Sequence, residues 1–477
     1  MLISTYELGH QPFGVASPAA WLRADGMTVS CLDLAVDRLD EDVVRSADLV
    51  AFYLPMHTAT RLAVQVIPTV RRLNPAAVVC AYGLYAPVNG DFLRSVGAAE
   101  IIGGEFEEPL AELARRVAAG DRPATADAGA EPAPATVSLA RQRFLVPDRV
   151  GLPLLSRYAA LAMPDGRQRI TGYTEATRGC KHLCRHCPVV PVYGGKFRVV
   201  QDDVVLADVA QQVAAGAEHI TFGDPDFFNG PAHAVAVVRA LHEQFPGLSY
   251  DVTIKIEHLV KHANLIPVLA ETGCLLVTTA AEAFDERILE IFDKQHTRAD
   301  FRTAVDTLSA HGIALNPTFV AFTPWTSAEI YVDFLATLHE LRLVENVSPV
   351  QYGIRLLIPQ GSRLLELPET HEYLRGFDPD ALCYRWTHPD PRMDALQQEL
   401  FRVTADSAGQ KDSAGRSKPR AETFAAVCRV TAEHVDEPLR QRLRALGPVP
   451  AQDPVPGLTE PWYCCAEPVE LDLTSPV

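Results

Sequence analysis

Nowhere in the 477 residues is there a charge-free apolar run of 18, the length a membrane-spanning helix needs. The opening Met1-Leu-Ile-Ser-Thr-Tyr-Glu7 lacks the basic region and apolar stretch of a secretory leader, so a soluble protein of a bacterial-type cytoplasm is expected. Cysteine is scarce. Ten in so long a chain, unevenly spaced, exclude a secreted disulfide scaffold and point to metal and thiol chemistry in a reducing compartment. The net charge of −17, with no long basic patch, argues against a nucleic-acid partner. Core-forming residues are not scarce: 48% hydrophobic content is ordinary for a chain of two or three globular domains.

Three of the cysteines stand together in Cys180-Lys-His-Leu-Cys184-Arg-His-Cys187, after the strand-like Ile170 to Thr177 and a turn at Arg178-Gly179. The C-x3-C-x2-C spacing can set three thiolates around one inorganic centre. In a cubane iron-sulfur cluster that leaves one iron open to a small molecule. From spacing alone a zinc knuckle completed by His182 or His186 also stays open.

The run resembles the cluster motif of the radical S-adenosylmethionine (SAM) superfamily, whose open iron takes the SAM amino and carboxylate groups. Further landmarks follow in order. Thr221-Phe-Gly223-Asp224-Pro-Asp226 ends an apolar strand and is similar to the segment that meets the SAM amino group. Ala281-Glu282-Ala-Phe-Asp285, followed by Leu289 and Lys294-Gln-His-Thr297, is similar to the strand and helix whose acidic residue reaches the ribose. Pro359-Gln-Gly361-Ser362 after Gln351 to Ile358 resembles the last strand and turn of the same barrel. The resemblance implies a 4Fe-4S cluster on Cys180, Cys184 and Cys187, and SAM seated by His186, Gly223, Asp224 and Glu282. His186 would lie by the adenine, where an aromatic is commoner. It also implies reductive cleavage of SAM, driven by a reductant such as flavodoxin or ferredoxin.

Before the cysteines, Leu2 to Thr5, Met27 to Leu32, Leu49 to Leu54, Val78 to Tyr82 and Glu100 to Ile102 read as buried strands. Pro18 to Ala24, Thr58 to Leu73 and Pro109 to Ala118 read as helices between them. The fold class expected is α/β: a doubly wound parallel sheet over residues 1–118, a linker over 119–146, a partial (β/α)6 barrel over 147–365 and an irregular C-terminal extension over 366–477. Barrel strands are expected near 170, 219, 250, 275, 313 and 352. The first of these domains resembles the cobalamin-binding-like domain that precedes many radical SAM barrels, so cobalamin is a candidate cofactor. The family's Asp-x-His-x-x-Gly motif is absent, and Gly9-His10-Gln-Pro-Phe-Gly14 has the wrong spacing for it. His10 then reads as a loop or substrate-side residue.

Behind a proline-rich run, the chain carries Trp462-Tyr-Cys464-Cys465-Ala-Glu467-Pro468. This resembles the radical SAM group named for a Cys-Cys-Ala-Glu-Pro tail, related to the enzyme of arsinothricin biosynthesis. The resemblance implies that Cys464 and Cys465 hold a thiophilic inorganic substrate, trivalent arsenic, which would receive the 3-amino-3-carboxypropyl group of SAM. The alternatives are a cobalamin-dependent methyltransferase or other alkylating enzyme on a small organic metabolite, and a SAM or redox sensor without turnover. For the tail itself, a vicinal disulfide, an auxiliary metal site or thiol-disulfide exchange stays open.

Overall fold

Runs such as Leu49–Tyr53 and Val78–Tyr82 are buried along their whole length, the pattern of a central strand covered on both faces. The computed structural model describes residues 1–123, 134–409, 419–450, 452, 454–460 and 466–467; Cys464 and Cys465 lie outside the described residues. The first sheet holds β1 (Leu2–Ser4), β2 (Cys31–Asp33), β3 (Leu49–Tyr53), β4 (Val78–Tyr82), β5 (Glu100–Gly104) and β6 (Thr136–Ser138), all parallel, in the order β2-β1-β3-β4-β5-β6. Alternate residues feed two separate apolar layers. Val50, Phe52 and Val79 pack with Val66 and Ile67 of helix His57–Leu73, whereas Ala51, Tyr53 and Cys80 pack with Val15 of helix Phe13–Ala24 and Leu110 of helix Glu107–Ala118. Pro18 inside helix Phe13–Ala24 has no N–H for the Gly14 carbonyl, and the Tyr82 hydroxyl donates to that oxygen instead at 2.8 Å. Two details differ from expectation. The second strand sits at Cys31–Asp33 rather than at Met27 to Leu32, and the expected linker supplies β6 at the sheet edge.

The barrel begins with β7 (Ala160–Ala162) and β8 (Gln168–Thr174), then β9 (Thr177–Gly179) and β10 (Phe197–Val199), which form their own antiparallel pair. It continues through β11 (His219–Phe222), β12 (Ser249–Thr253), β13 (Cys274–Glu282) and β14 (Ala314–Phe319). Strands β8, β11, β12, β13 and β14 run parallel and in sequence order across the sheet. The sixth position is reduced to β15 (Arg355–Leu356), joined through a parallel bridge between Phe322 and Arg355. Gln351 and Tyr352, expected to open that strand, belong instead to a 3-10 turn over Pro349–Tyr352. The intervening helices start at side-chain caps where the sequence offers them: Asp285, Ser327, and a capping box of Thr297 with Asp300.

The C-terminal part adds the hairpin β16 (Leu374–Asp378) and β17 (Cys383–Trp386), then helices Pro391–Gly409, Arg420–His434 and Glu437–Ala445. These helices bury Leu396, Leu400, Phe424, Val427 and Leu443 in the barrel's own core. Two short strands return to the barrel: β18 (Gly457–Leu458) against β7, and β19 (Ala466–Glu467) antiparallel to β15. Among the described residues no helix is long and apolar enough to cross a membrane. Leu400 is fully buried, so Leu400→Ala is expected to cost about 2–5 kcal/mol of unfolding free energy in urea titration. An unchanged midpoint would show that the helix does not share the barrel's core.

Candidate active site

The three-cysteine loop lies between β9 and β10, and buried polar contacts fix the β8–β9 connection just before it. Both carboxylate oxygens of Asp224 are taken there: the Ala176 N–H donates to one at 2.9 Å and the Thr177 hydroxyl to the other at 2.6 Å. Arg178 does not make the expected turn; it lies in β9, paired with β10. Its guanidinium is 5% exposed and meets Glu107 and Glu175 at 2.6 Å each and Glu105 at 3.6 Å, between the rings of Phe13, Phe106 and Phe144. Burial opposes its charge, and the three carboxylates more than restore it. Gly179 follows at φ +75°, where a Cβ would stand 2.3 Å from the Tyr193 ring. The chain then turns back, with the Cys187 N–H bonded to the Cys184 carbonyl at 3.2 Å.

Cys180, Cys184 and Cys187 are unbridged, and all three face one cleft. Burial pushes the Cys180 thiol up to about 12, with Asp226 adding to it, and raises Cys184 as well. A set of neutralised thiols close enough to repel one another as thiolates suits a cationic metal centre. The cleft's unfilled space is about 1750 Å³ counted to its open mouth. One wall is made by the barrel; the other by residues that follow the strand ends of the first sheet, among them Glu7, His10, Met56, Tyr85 and Phe106. Those strands change order between β1 and β3, the place where doubly wound sheets take ligands. His10 is buried against Tyr173, ring to ring at 4.7 Å, and burial holds its imidazole neutral, down to about 4.

All four residues expected to seat SAM line this cleft, and they do different things. Glu282 ends β13 at a register shift with a left-handed φ of +66°, unusual for a side chain of its size. Its Oε1 lies 3.2 Å from Lys294 Nζ and 3.0 Å from His186 Nε2. Burial opposes its charge, but Lys294 and His186 bring it down to about 2. His186, kept neutral by burial, also packs its ring on Phe292 at 4.4 Å. Gly223 lines the cleft, and a Cβ there would fall 1.9 Å from the Tyr173 hydroxyl oxygen. Asp224 differs: with both oxygens occupied it anchors the cluster loop.

A second polar group lies on the other side of Cys180. The two Asp226 oxygens divide their partners: backbone N–H groups of Phe228 and Lys255 donate to Oδ1, while Oδ2 faces His258 Nδ1 at 2.6 Å and His182 Nε2 at 3.4 Å. Burial works against the Asp226 charge, and the two imidazoles bring it down to about 2. His182 Nδ1 lies 3.4 Å from Glu257. The lysines Lys255 and Lys294 line the cleft itself. Sequence reasoning assigned no role to Arg178, Glu107 or Glu175. The available signal was a charged residue directly before the left-handed Gly179.

Glu105 is pushed up to about 7 by burial against the pull of Arg178, and Asp224 is raised to about 7 by burial. The unfolded chain releases both protons near the ordinary carboxylate value of about 4. Between these limits the folded state binds more protons at these two groups, so the stability they contribute is fully present below about pH 4 and is lost as pH rises through about 7. Urea midpoints are expected to be lower at about pH 8 than at about pH 5, with the difference narrowed in Glu105→Gln. Equal midpoints would remove this assignment.

Residues 174–331 match the family model of the Radical SAM superfamily. Among curated proteins, the chain is 26% identical over 149 residues to bacteriochlorophyllide d C-12(1)-methyltransferase of Chlorobaculum tepidum, a match covering 30% of this chain and 32% of that protein. The chain thus spans about a third of that relative's length. Two solved structures share the whole architecture at low identity. The radical SAM methyltransferase TsrM of Kitasatospora setae, with cobalamin and a [4Fe-4S] cluster bound, superposes at a TM-score of 0.63 with 16% identity, covering 92% of this chain and 91% of that one. The cobalamin-dependent SAM radical enzyme OxsB, with aqua-cobalamin bound, gives 0.67 with 12% identity, covering 93% and 70%. The segment that matches the Radical SAM superfamily model contains the three cysteines, Gly223, Asp224 and Glu282.

Proposed function

We propose that the chain is a cobalamin-dependent radical SAM alkylating enzyme, a methyltransferase or close relative, acting on a small organic molecule in the cytoplasm. One observation carries the reading: a single cleft is walled by the three-cysteine loop on one side and by the switch point of the doubly wound sheet on the other. A cluster on Cys180, Cys184 and Cys187 with SAM beside it would supply electrons and a SAM-derived alkyl group, and cobalamin would carry that group. The rest is done by the chain. Glu282, held ionised by Lys294 and His186, presents a fixed carboxylate for a vicinal diol such as a ribose. Gly223 keeps the backbone clear of Tyr173, and Asp224 fixes the loop's entry through Ala176 and Thr177. Lys255 lines the cleft with its ammonium donating to Glu257 at 3.4 Å. Tyr85, Phe106 and Leu84 on the opposite wall exclude water. Without the histidine motif, the cobalt would have no protein ligand of the usual kind; His10, stacked on Tyr173, stays a substrate-side candidate.

A second reading keeps arsenic and the Cys-Cys-Ala-Glu-Pro group. It is favoured by β19: Ala466, covalently next to Cys465, pairs antiparallel with Leu356 on the last barrel strand. Paired thiols would suit a thiophilic atom.

Product analysis separates the readings. Anaerobically reconstituted protein is expected to bind cobalamin stoichiometrically by visible absorption. With reductant and SAM it is expected to form S-adenosylhomocysteine or 5′-deoxyadenosine. Methylthioadenosine with an aminocarboxypropyl arsenical, from arsenite, would replace the first reading by the second. Tight SAM binding without any product would leave a sensor. A Cys180→Ala/Cys184→Ala/Cys187→Ala protein with an unchanged SAM-responsive EPR signal would remove all three.

A further inference from the structure

The chain has seven lysines against a far larger number of arginines. Lys411 and Lys418 lie outside the described residues. Each of the other five lies on or beside the three-cysteine loop. Lys255 and Lys294 line the cleft, and their charges act on Cys184. Lys181 is in the loop. Lys261 and Lys181 both lie close enough to His262 to act on its imidazole. Lys196 follows Gly195, where a Cβ would touch the Leu183 side chain at 3.2 Å and the Lys181 carbonyl at 3.5 Å. Arginine, by contrast, is spread over the whole molecule. Placing every described lysine around one loop of a chain with a net charge of −17 concentrates its mobile positive charge in one place.

At the tip of this loop one apolar side chain is exposed: Leu183, directly before Cys184, at 44%. Lys181 and Gly195-Lys196 flank it, and Arg363 donates to its carbonyl at 3.0 Å. The carboxylates that border the patch are engaged: Glu366 by Arg363, and Glu257 by Lys255 and His182. An apolar centre ringed by cations is the pattern of a contact surface. Lysine, a hydrated point charge on a flexible stem, gives reversible contacts rather than the fixed fork of arginine. Lysines are depleted in the cores of stable interfaces, so this rim suits a brief encounter of the kind electron carriers make.

We infer that the face formed by Lys181, Leu183, Lys196 and Lys261 is the docking surface for a small acidic one-electron carrier protein. The inference rests on the radical SAM reading. An acidic carrier is repelled by most of this acidic chain and attracted here, which both orients it and raises its rate of encounter. Leu183 and Lys181 adjoin two of the cluster cysteines in the chain, so contact at this face brings the carrier's centre to the shortest route inward. One electron leaves the carrier's reduced flavin or iron-sulfur centre and enters the centre held by Cys180, Cys184 and Cys187; no atom is transferred.

The test uses reconstituted full-length protein and a flavodoxin. Surface plasmon resonance is expected to show binding that weakens steeply between about 50 and about 300 mM salt. Lys181→Glu/Lys196→Glu/Lys261→Glu is expected to weaken it about tenfold or more at low salt and to flatten the salt dependence. Flavodoxin-driven cluster reduction, followed by absorbance, should slow in parallel, while dithionite reduces variant and wild type at the same rate. The single variants Lys196→Glu and Lys261→Glu carry the test if the triple variant loses its cluster. Unchanged flavodoxin binding and reduction in the charge-reversed proteins overturn the docking surface. Failure of dithionite to support SAM cleavage in wild type would instead overturn the function proposed above, and the binding result would still decide the docking face.

Discussion

Arg178 is where the two halves of the molecule meet. It belongs to the barrel, two residues before Cys180, yet two of its three carboxylate partners, Glu105 and Glu107, follow the last long strand of the N-terminal sheet. A buried guanidinium can be tolerated only with its charge and its hydrogen bonds satisfied, so the position of one domain on the other and the path of the chain into the cysteine loop are set by the same group. Three aromatic rings complete its surroundings and keep water out. Arg149 makes a second link, meeting Asp208 of the barrel through two nitrogens and Gln11 of the N-terminal domain through a third.

With the loop so fixed, the cleft divides its electrostatic labour. Glu282 ends one barrel strand, Asp224 follows another by two residues, and both are buried, but their environments push them apart. Asp224 has only neutral donors and is raised to about 7; Glu282 has Lys294 and is lowered to about 2. One carboxyl therefore serves as a neutral or weakly charged anchor for backbone, and the other as a permanent anion facing the cavity. The same chemistry at two strand ends gives two functions because of what stands beside each.

Much of this was legible in the sequence. The strands of the first sheet and the barrel announced themselves as short apolar runs, since both sheets are covered on two faces. The cysteine spacing and the Gly223-Asp224 and Glu282 landmarks indicated which strand ends matter. What the sequence concealed depends on partners distant along the chain. Arg178 before a glycine looks like turn punctuation because Glu105 and Glu107 lie more than seventy residues earlier. A three-residue edge strand such as β6 needs no long apolar pattern, so Thr136–Ser138 passed for linker. The sixth barrel strand was expected too early and too long because Gln351 and Tyr352 are buried for another reason, in a 3-10 turn under helix Pro391–Gly409.

Strand β18 carries a different kind of information. Gly457–Leu458 closes on β7, Leu458 forms part of the cleft wall, and Glu460 accepts a hydrogen bond from the Tyr6 hydroxyl at 2.5 Å. Residues 454 positions apart along the chain thus share one seam. While the ribosome is still adding the segment, the cysteine loop has already emerged and the pocket lacks its late wall. The cleft thus gains this wall only once the chain has been made past Leu458, long after the cysteines that face it.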